Sequence, residues 1–227
     1  MKKRKIIFVS GEKGGVGKTT IALALQHFIP CQAIDGDASN PDFARPIGES
    51  AQKFDLKKEE GWNELFNHAD NHDRDIIISC PAGIESIYQA QKNALDYTLK
   101  QLNAEGIMIW PINRQRDSIE ALQRIYHDCP CRLIVILNGY FGEAEKFSLW
   151  NHSDIRKAFL KTHQECYFPH LIDTIADKLN TKALTYKEAL TSPDMRIGDK
   201  ANTQAWLTKI EQTLLPLIYE SKHKNAA

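Results

Sequence analysis

Short runs of consecutive apolar residues alternate along this chain with longer stretches whose apolar positions recur every three or four residues. The runs fall at Lys5–Ser10, Gln32–Asp35, Asp75–Ser79, Gly106–Trp110 and Arg132–Leu137, with Glu165–Phe168 as a sixth. They do not alternate with polar positions, which suits strands covered on both faces by helices. Between them, Thr19–Ile29 reads as a helix stopped by Pro30. Ile84, Ile87, Tyr88, Ala94, Leu95, Leu99 and Leu102 fall at helical spacing, as do Leu122, Ile125 and Tyr126. Strands alternating with helices of this length predict an α/β fold: a three-layer, doubly wound, mostly parallel sheet with right-handed crossovers. Ligands in such sheets sit beyond the carboxyl ends of the strands.

Ser39 to Asp73 is the least regular part, polar apart from Trp62, Leu65 and Phe66. No linker or internal repeat interrupts the chain, so residues 1–227 read as one domain. Trp206, Ile210, Leu214 and Leu217 form a stripe that predicts a last helix over about residues 202–219, docked on that domain. Pro216 should kink or end it.

Charge narrows the class. Lys plus Arg and Asp plus Glu each total 29, for a net charge of zero, which excludes a blanket basic surface for nucleic acid but not a local basic patch. The 5 cysteines lack a disulfide-scaffold rhythm, and Cys129-Pro130-Cys131 lacks the two-residue spacer of a zinc or redox motif, so all five read as reduced thiols. Behind the basic Met1–Lys5, the apolar stretch Ile6–Val9 is too short for an export signal, and no run approaches the roughly 20 apolar residues of a membrane span. The cytoplasm is the expected location. His68 and His72 are the only histidine pair of note and are expected to lie in an exposed polar turn.

The candidate chemistry lies in Gly11-Glu12-Lys13-Gly14-Gly15-Val16-Gly17-Lys18-Thr19-Thr20, which follows the first predicted strand and opens the first predicted helix. Glycines there let backbone N–H groups turn inward onto phosphate oxygens, and the helix start adds partial positive charge. Lys18 is placed for the β- and γ-phosphates and the Thr19 hydroxyl for Mg²⁺.

Lys13, a second lysine early in the loop, makes the chain resemble the deviant Walker A class of P-loop ATPases, the ParA/MinD partition and positioning proteins among them. Other residues extend the resemblance over roughly 5–190. Asp35-Gly36-Asp37 stands where the class has Asp-x-Asp after the second strand, and Ser79-Cys80-Pro81-Ala82-Gly83 where it has Asp-x-Pro-Ala-Gly. Asn138 resembles the strand-end asparagine that contacts adenine, and Tyr167-Phe168-Pro169 could supply the other wall of the base pocket. The short length and the Gly-Glu-Lys-Gly-Gly-Val-Gly-Lys loop look most like plasmid-borne StbB- or MobD-type members.

The resemblance implies ATP/ADP and Mg²⁺ as ligands, with Gly14, Gly15, Val16, Gly17, Lys18, Thr19, Thr20, Asn138 and Pro169 holding nucleotide and Thr19 and Asp37 serving the metal. It implies Lys13, Lys18 and Asp37 as the catalytic groups, Lys13 reaching the partner's phosphates in an ATP-bound homodimer and Asp37 orienting water. Partition of a plasmid or chromosome, or conjugative mobilisation, is the function implied, with an adaptor protein and non-specific DNA as possible partners. Arg114 and Arg116 are candidates for DNA contact, with solvation of helix ends as the alternative. MinD-like proteins end in a membrane anchor, but Pro216 and the hydrophilic Glu220–Lys224 favour a docked helix here.

Ser79 departs from the class, which carries a carboxylate there to hold the Mg²⁺ water shell; a neutral serine should hold it less firmly. Asp75 lies at the opposite end of the strand and cannot substitute. Slow ATP hydrolysis is the favoured expectation, with Asp37 alone sufficing as the other. Rival readings are a dethiobiotin-synthetase-like or cobyrinate-amidase-like ligase, for which no carboxylate-substrate residues stand out, and a non-hydrolysing nucleotide-binding module.

Overall fold

Strand β1 (Lys5–Val9) sends Ile6 and Phe8 into one hydrophobic core and Ile7 and Val9 into another. That division is the physical content of its unbroken apolar run, since neither face of the strand meets water. The computed structural model describes residues 3–219. After β1 come α1 (Lys18–Phe28), β2 (Cys31–Asp35), α2 (Ala44–Ile47), β3 (Gln52–Lys53), α3 (Glu59–Asp70) and β4 (Asp75–Ser79). Then follow α4 (Glu85–Gln101), β5 (Glu105–Ile112), α5 (Arg116–Tyr126), β6 (Arg132–Asn138), α6 (Ser148–Asn151), α7 (Asp154–Phe159) and β7 (Gln164–Phe168). The described chain closes with α8 (Asp173–Lys182), α9 (Tyr186–Ala189), α10 (Ile197–Thr213) and α11 (Leu215–Tyr219).

The seven strands form one sheet in the order β3-β2-β4-β1-β5-β6-β7, and every pairing is parallel. Helices α3 to α7 cover one face through Trp62, Tyr88, Leu95, Leu122, Trp150 and Phe159. Helices α1 and α8 to α11 cover the other through Ile21, Leu25, Leu179, Trp206, Ile210 and Ile218. This is the expected three-layer, doubly wound arrangement, with β1 at its centre.

Three expectations need correction. The segment taken as least regular contains the 12-residue helix α3 and the two-residue edge strand β3. Its buried positions are Gly61, Trp62, Leu65 and Ala69, a narrow stripe with Glu and Asn on the remaining surface. Trp62 explains why the stripe suffices: its ring stacks on Phe8 at 5.9 Å and its Nε1 donates to Leu56 O at 3.0 Å. Second, His68 and His72 are partly buried rather than exposed, their ring centroids 4.3 Å apart, with His68 edge-on to Phe54. Burial lowers the pKa of His68, and the neighbouring His72 adds to the shift.

Third, the last helix starts at Ile197, earlier than expected; its break at Leu214, between α10 and α11, is the interruption expected of Pro216, which has no N–H to donate. Arg132 fastens the end: its guanidinium donates to Leu217 O at 2.7 Å and Ile218 O at 3.1 Å while pairing with Glu105. The apolar stripe of α10 and α11 is thus spent on the sheet. No described helix is long and apolar enough to cross a membrane.

Candidate functional site

The loop from Gly11 to Gly17 leaves the carboxyl end of β1 and runs directly into α1. Gly17 is the helix N-cap with φ 97°, a left-handed conformation, and a Cβ there would collide with Asn138 Nδ2. Gly17→Ala should therefore lower stability by about 1–3 kcal/mol, through backbone strain and displacement of Asn138. Denaturant melts check this, and an unchanged midpoint would show that the loop relaxes freely. Gly14 and Gly15 are exposed, with no heavy atom within 4 Å of where a Cβ would stand, so their backbone is open to an approaching ligand.

Lys18 is buried at the start of α1, and its Nζ donates to Lys13 O at 2.8 Å, closing the loop on itself. Burial pushes its pKa down, against the pull of nearby acids including Asp37 and Glu85. Among the described residues it forms no ion pair. A buried ammonium lining an open cleft at a helix start has the chemistry to receive an anion.

Two turns complete this part of the cleft. Buried Asp35 accepts from Asp37 N, Phe43 N and Ala44 N at 3.0, 2.8 and 2.9 Å, so this carboxylate shapes the loop after β2 rather than facing the cleft alone. Burial raises its pKa, with those N–H groups opposing. Asp37 accepts from Ser39 Oγ at 2.5 Å and Asn40 N at 3.2 Å, with Lys57 at 3.8 Å. Burial raises the pKa of Asp37, but the Ser39 hydroxyl, Asn40 and Lys57 outweigh it, so the carboxylate titrates below its ordinary range. Gly36 between them has no room for a side chain, because a Cβ would press on Leu56 and on Ser79 O.

Ser79 ends β4 between Val9 and Asp35 of the neighbouring strands, is buried and lines the cleft. Asp75, at the other end, accepts from Lys5 N at 2.7 Å, which fixes it far from the cleft as expected. Beyond Ser79, Gly83 N donates to Glu12 O at 3.0 Å and pins the Pro-Ala-Gly turn to the glycine-rich loop. The Cys80 thiol, pushed up to about 12 by burial, is inert there.

Asn138, Tyr140, Pro169 and His170 also line the cleft. Asn138 donates from Nδ2 to Val16 O at 2.8 Å and accepts Tyr140 N on Oδ1 at 3.1 Å. Pro169 O accepts from Trp206 Nε1 at 2.7 Å, which ties this wall to α10. The whole cleft measures about 890 Å³ and is lined by Gly14, Gly15, Gly17, Lys18, Thr19, Thr20, Asp37, Asn138 and Pro169 among others, so most residues singled out in the sequence converge. Two do not line it. Val16 is buried, and its carbonyl accepts from Asn138 Nδ2. Lys13 turns away, ion-paired with Asp117 at the start of α5 and 3.4 Å from Gln115 Oε1.

Sequence reading missed Phe43, Tyr140 and His170 in the lining and Asp117 as the partner of Lys13. Tyr140, two residues beyond Asn138, carried the only local signal. Of the arginines weighed for DNA contact, Arg116 pairs with Glu120 at 2.8 Å and Arg114 reaches Phe141 O at 3.4 Å. The cysteines are all free.

No protein-family profile matches the chain. It is 31% identical over 227 residues to protein MobD of Acidithiobacillus ferrooxidans, a match that spans 96% of this chain and 99% of MobD. Among solved structures it is similar to an ATP complex of a Cyanothece McdA variant, at 13% identity and a TM-score of 0.49, covering 93% of this chain and 98% of that one. With an all-parallel sheet, a glycine-rich loop between β1 and α1, and this identity to MobD along nearly its whole length, the chain belongs to the ParA/MinD-type P-loop family as a relative of MobD.

Proposed function

We propose that this protein is a ParA-like, ATP-dependent dimeric switch with slow ATPase activity, acting in plasmid or chromosome partition or in conjugative mobilisation. The observation that carries this reading is the placement of its two loop lysines: Lys18 faces the cleft, whereas Lys13 stands at the loop's outer edge, its side chain 41% exposed. Lys18 is positioned to neutralise phosphates within the chain. Lys13, paired with half-exposed Asp117 and in a long contact with Gln115, is free to exchange that pairing for a phosphate of a second copy.

The residues suit ATP with Mg²⁺. The open cradle at Gly14 and Gly15 admits a polyphosphate, and the helix start supplies N–H donors. Thr19 and Asp37 would hold Mg²⁺, which when bound neutralises phosphate charge. Among the described residues, no group of three or more His, Cys, Asp or Glu gathers to bind a metal, so the remaining ligands would come from phosphate and water. Asp37, ionised by its hydrogen bonds, is suited to orient an attacking water. Phosphoryl transfer needs little beyond such positioning and charge neutralisation.

Light scattering with ATP and with ADP, repeated on Lys13→Ala, tests the switch. The expected result is an ATP-specific dimer for the unaltered chain and a monomer for the variant, whose ATP affinity stays within a few-fold. A chain that remains monomeric in saturating ATP and Mg²⁺ would count decisively against it. Adding DNA or a candidate adaptor to the same assay then addresses partners.

A further inference from the structure

Tyr140 is an aromatic side chain left 61% exposed on the wall of the cleft. It sits in the short turn Gly139–Phe141 that follows β6, and its backbone N–H is held by Asn138 Oδ1 at 3.1 Å. Its ring meets His170 at 5.6 Å and 75° and Phe141 at 5.2 Å and 86°. Both contacts are edge-type, so neither neighbour lies parallel on the tyrosine. His170 is fixed in turn by Asp173 Oδ1 at 2.9 Å. The other side-chain bond of Asn138, to Val16 O at 2.8 Å, links this turn to the phosphate loop directly before Gly17. The ring therefore keeps a face uncovered on the cleft wall, where a flat group could stack on it.

Resting on the nucleotide-binding reading above, we infer that Tyr140 is the stacking wall for the base. His170 sets the angle of its ring, and Asn138 is the positioning residue that keys the wall to the phosphate cradle. One asparagine thus ties the Tyr140 turn to the glycine-rich loop. The ligand class follows from the chemistry: a flat heteroaromatic base carrying a polyphosphate. Stacking depends on a π-face that every base offers, so this wall strengthens purine nucleotides without choosing between adenine and guanine.

The test measures dissociation constants for ATP, GTP and inorganic tripolyphosphate with the unaltered protein, Tyr140→Ala, Tyr140→Phe and Asn138→Ala, each first checked by thermal melt. Tyr140→Ala should weaken ATP and GTP by about tenfold while leaving tripolyphosphate within twofold, because stacking involves only the base. Tyr140→Phe should restore both nucleotides. Asn138→Ala should weaken tripolyphosphate as well, since it loosens the loop carbonyl of Val16. The inference is overturned if Tyr140→Ala binds ATP normally, or if its tripolyphosphate affinity falls in parallel with ATP. If the unaltered protein binds neither ATP nor tripolyphosphate, the nucleotide reading itself fails and this inference falls with it.

Discussion

Lys18→Ala should lose at least about 100-fold in ATP affinity while melting, without ligand, at or slightly above the temperature of the unaltered protein. Charge-assisted hydrogen bonds in a partly dry site contribute roughly 1.5–3 kcal/mol each, and a lysine bridging two phosphates makes more than one. The backbone donors of the loop and helix start would remain, but none carries a full charge. The sign of the stability change follows from the resting geometry. Lys18 is buried and donates only to Lys13 O, so folding leaves an ammonium largely desolvated without an ionic partner. Removing that group relieves a desolvation cost and forfeits one neutral acceptor. Calorimetric titration with ATP, paired with thermal melts, provides the check. For the unaltered protein, ATP at 100 times its dissociation constant adds about 2.7 kcal/mol of stability. A variant that keeps this ligand-induced gain would show that Lys18 is not the phosphate anchor.

Ser79→Asp should raise Mg²⁺-dependent turnover by about 10–100-fold, the range over which outer-shell metal partners act. The same change should destabilise the protein in the absence of Mg²⁺ and nucleotide. Ser79 is buried and in register with Asp35 on β2, a strand spacing of about 4.8 Å away. Asp35 already has its pKa raised by burial, so a second carboxylate beside it must either take up a proton or strain the loop. A bound cation would reverse that repulsion, so melting temperature should recover when Mg²⁺ and ADP are added together. Turnover that stays unchanged in a folded, Mg²⁺-responsive variant would mean that Asp37 alone suffices. A protein with no turnover in either form would instead favour the non-hydrolysing module.

Much of the fold was legible because a buried parallel strand leaves an unmistakable run of apolar residues. Six of the strands are visible that way, and the helices α1, α4 and α5 show stripes wide enough to read. Strand β3 was not, because two exposed edge residues, Gln52 and Lys53, carry no hydrophobic signal. Helix α3 was hidden for a different reason: Trp62 buries so much surface alone that the helix needs few other apolar positions.

The phosphate end of the site was determined locally. A glycine-rich loop, a lysine and two threonines in one stretch must lie together wherever the chain goes, because covalent connection fixes their spacing. The order and hydrophobic character of the strands also sufficed to put that loop at the carboxyl edge of a parallel sheet. Only the tertiary structure brought Asp37, Ser79, Asn138, Tyr140 and Pro169 to the same cleft, since they follow four different strands. It alone turned Lys13 toward Asp117, more than a hundred residues away, and brought the Asn138 Nδ2 onto Val16 O. Those pairings depend on which strands lie side by side and in what register, and a linear pattern of apolar positions is blind to both.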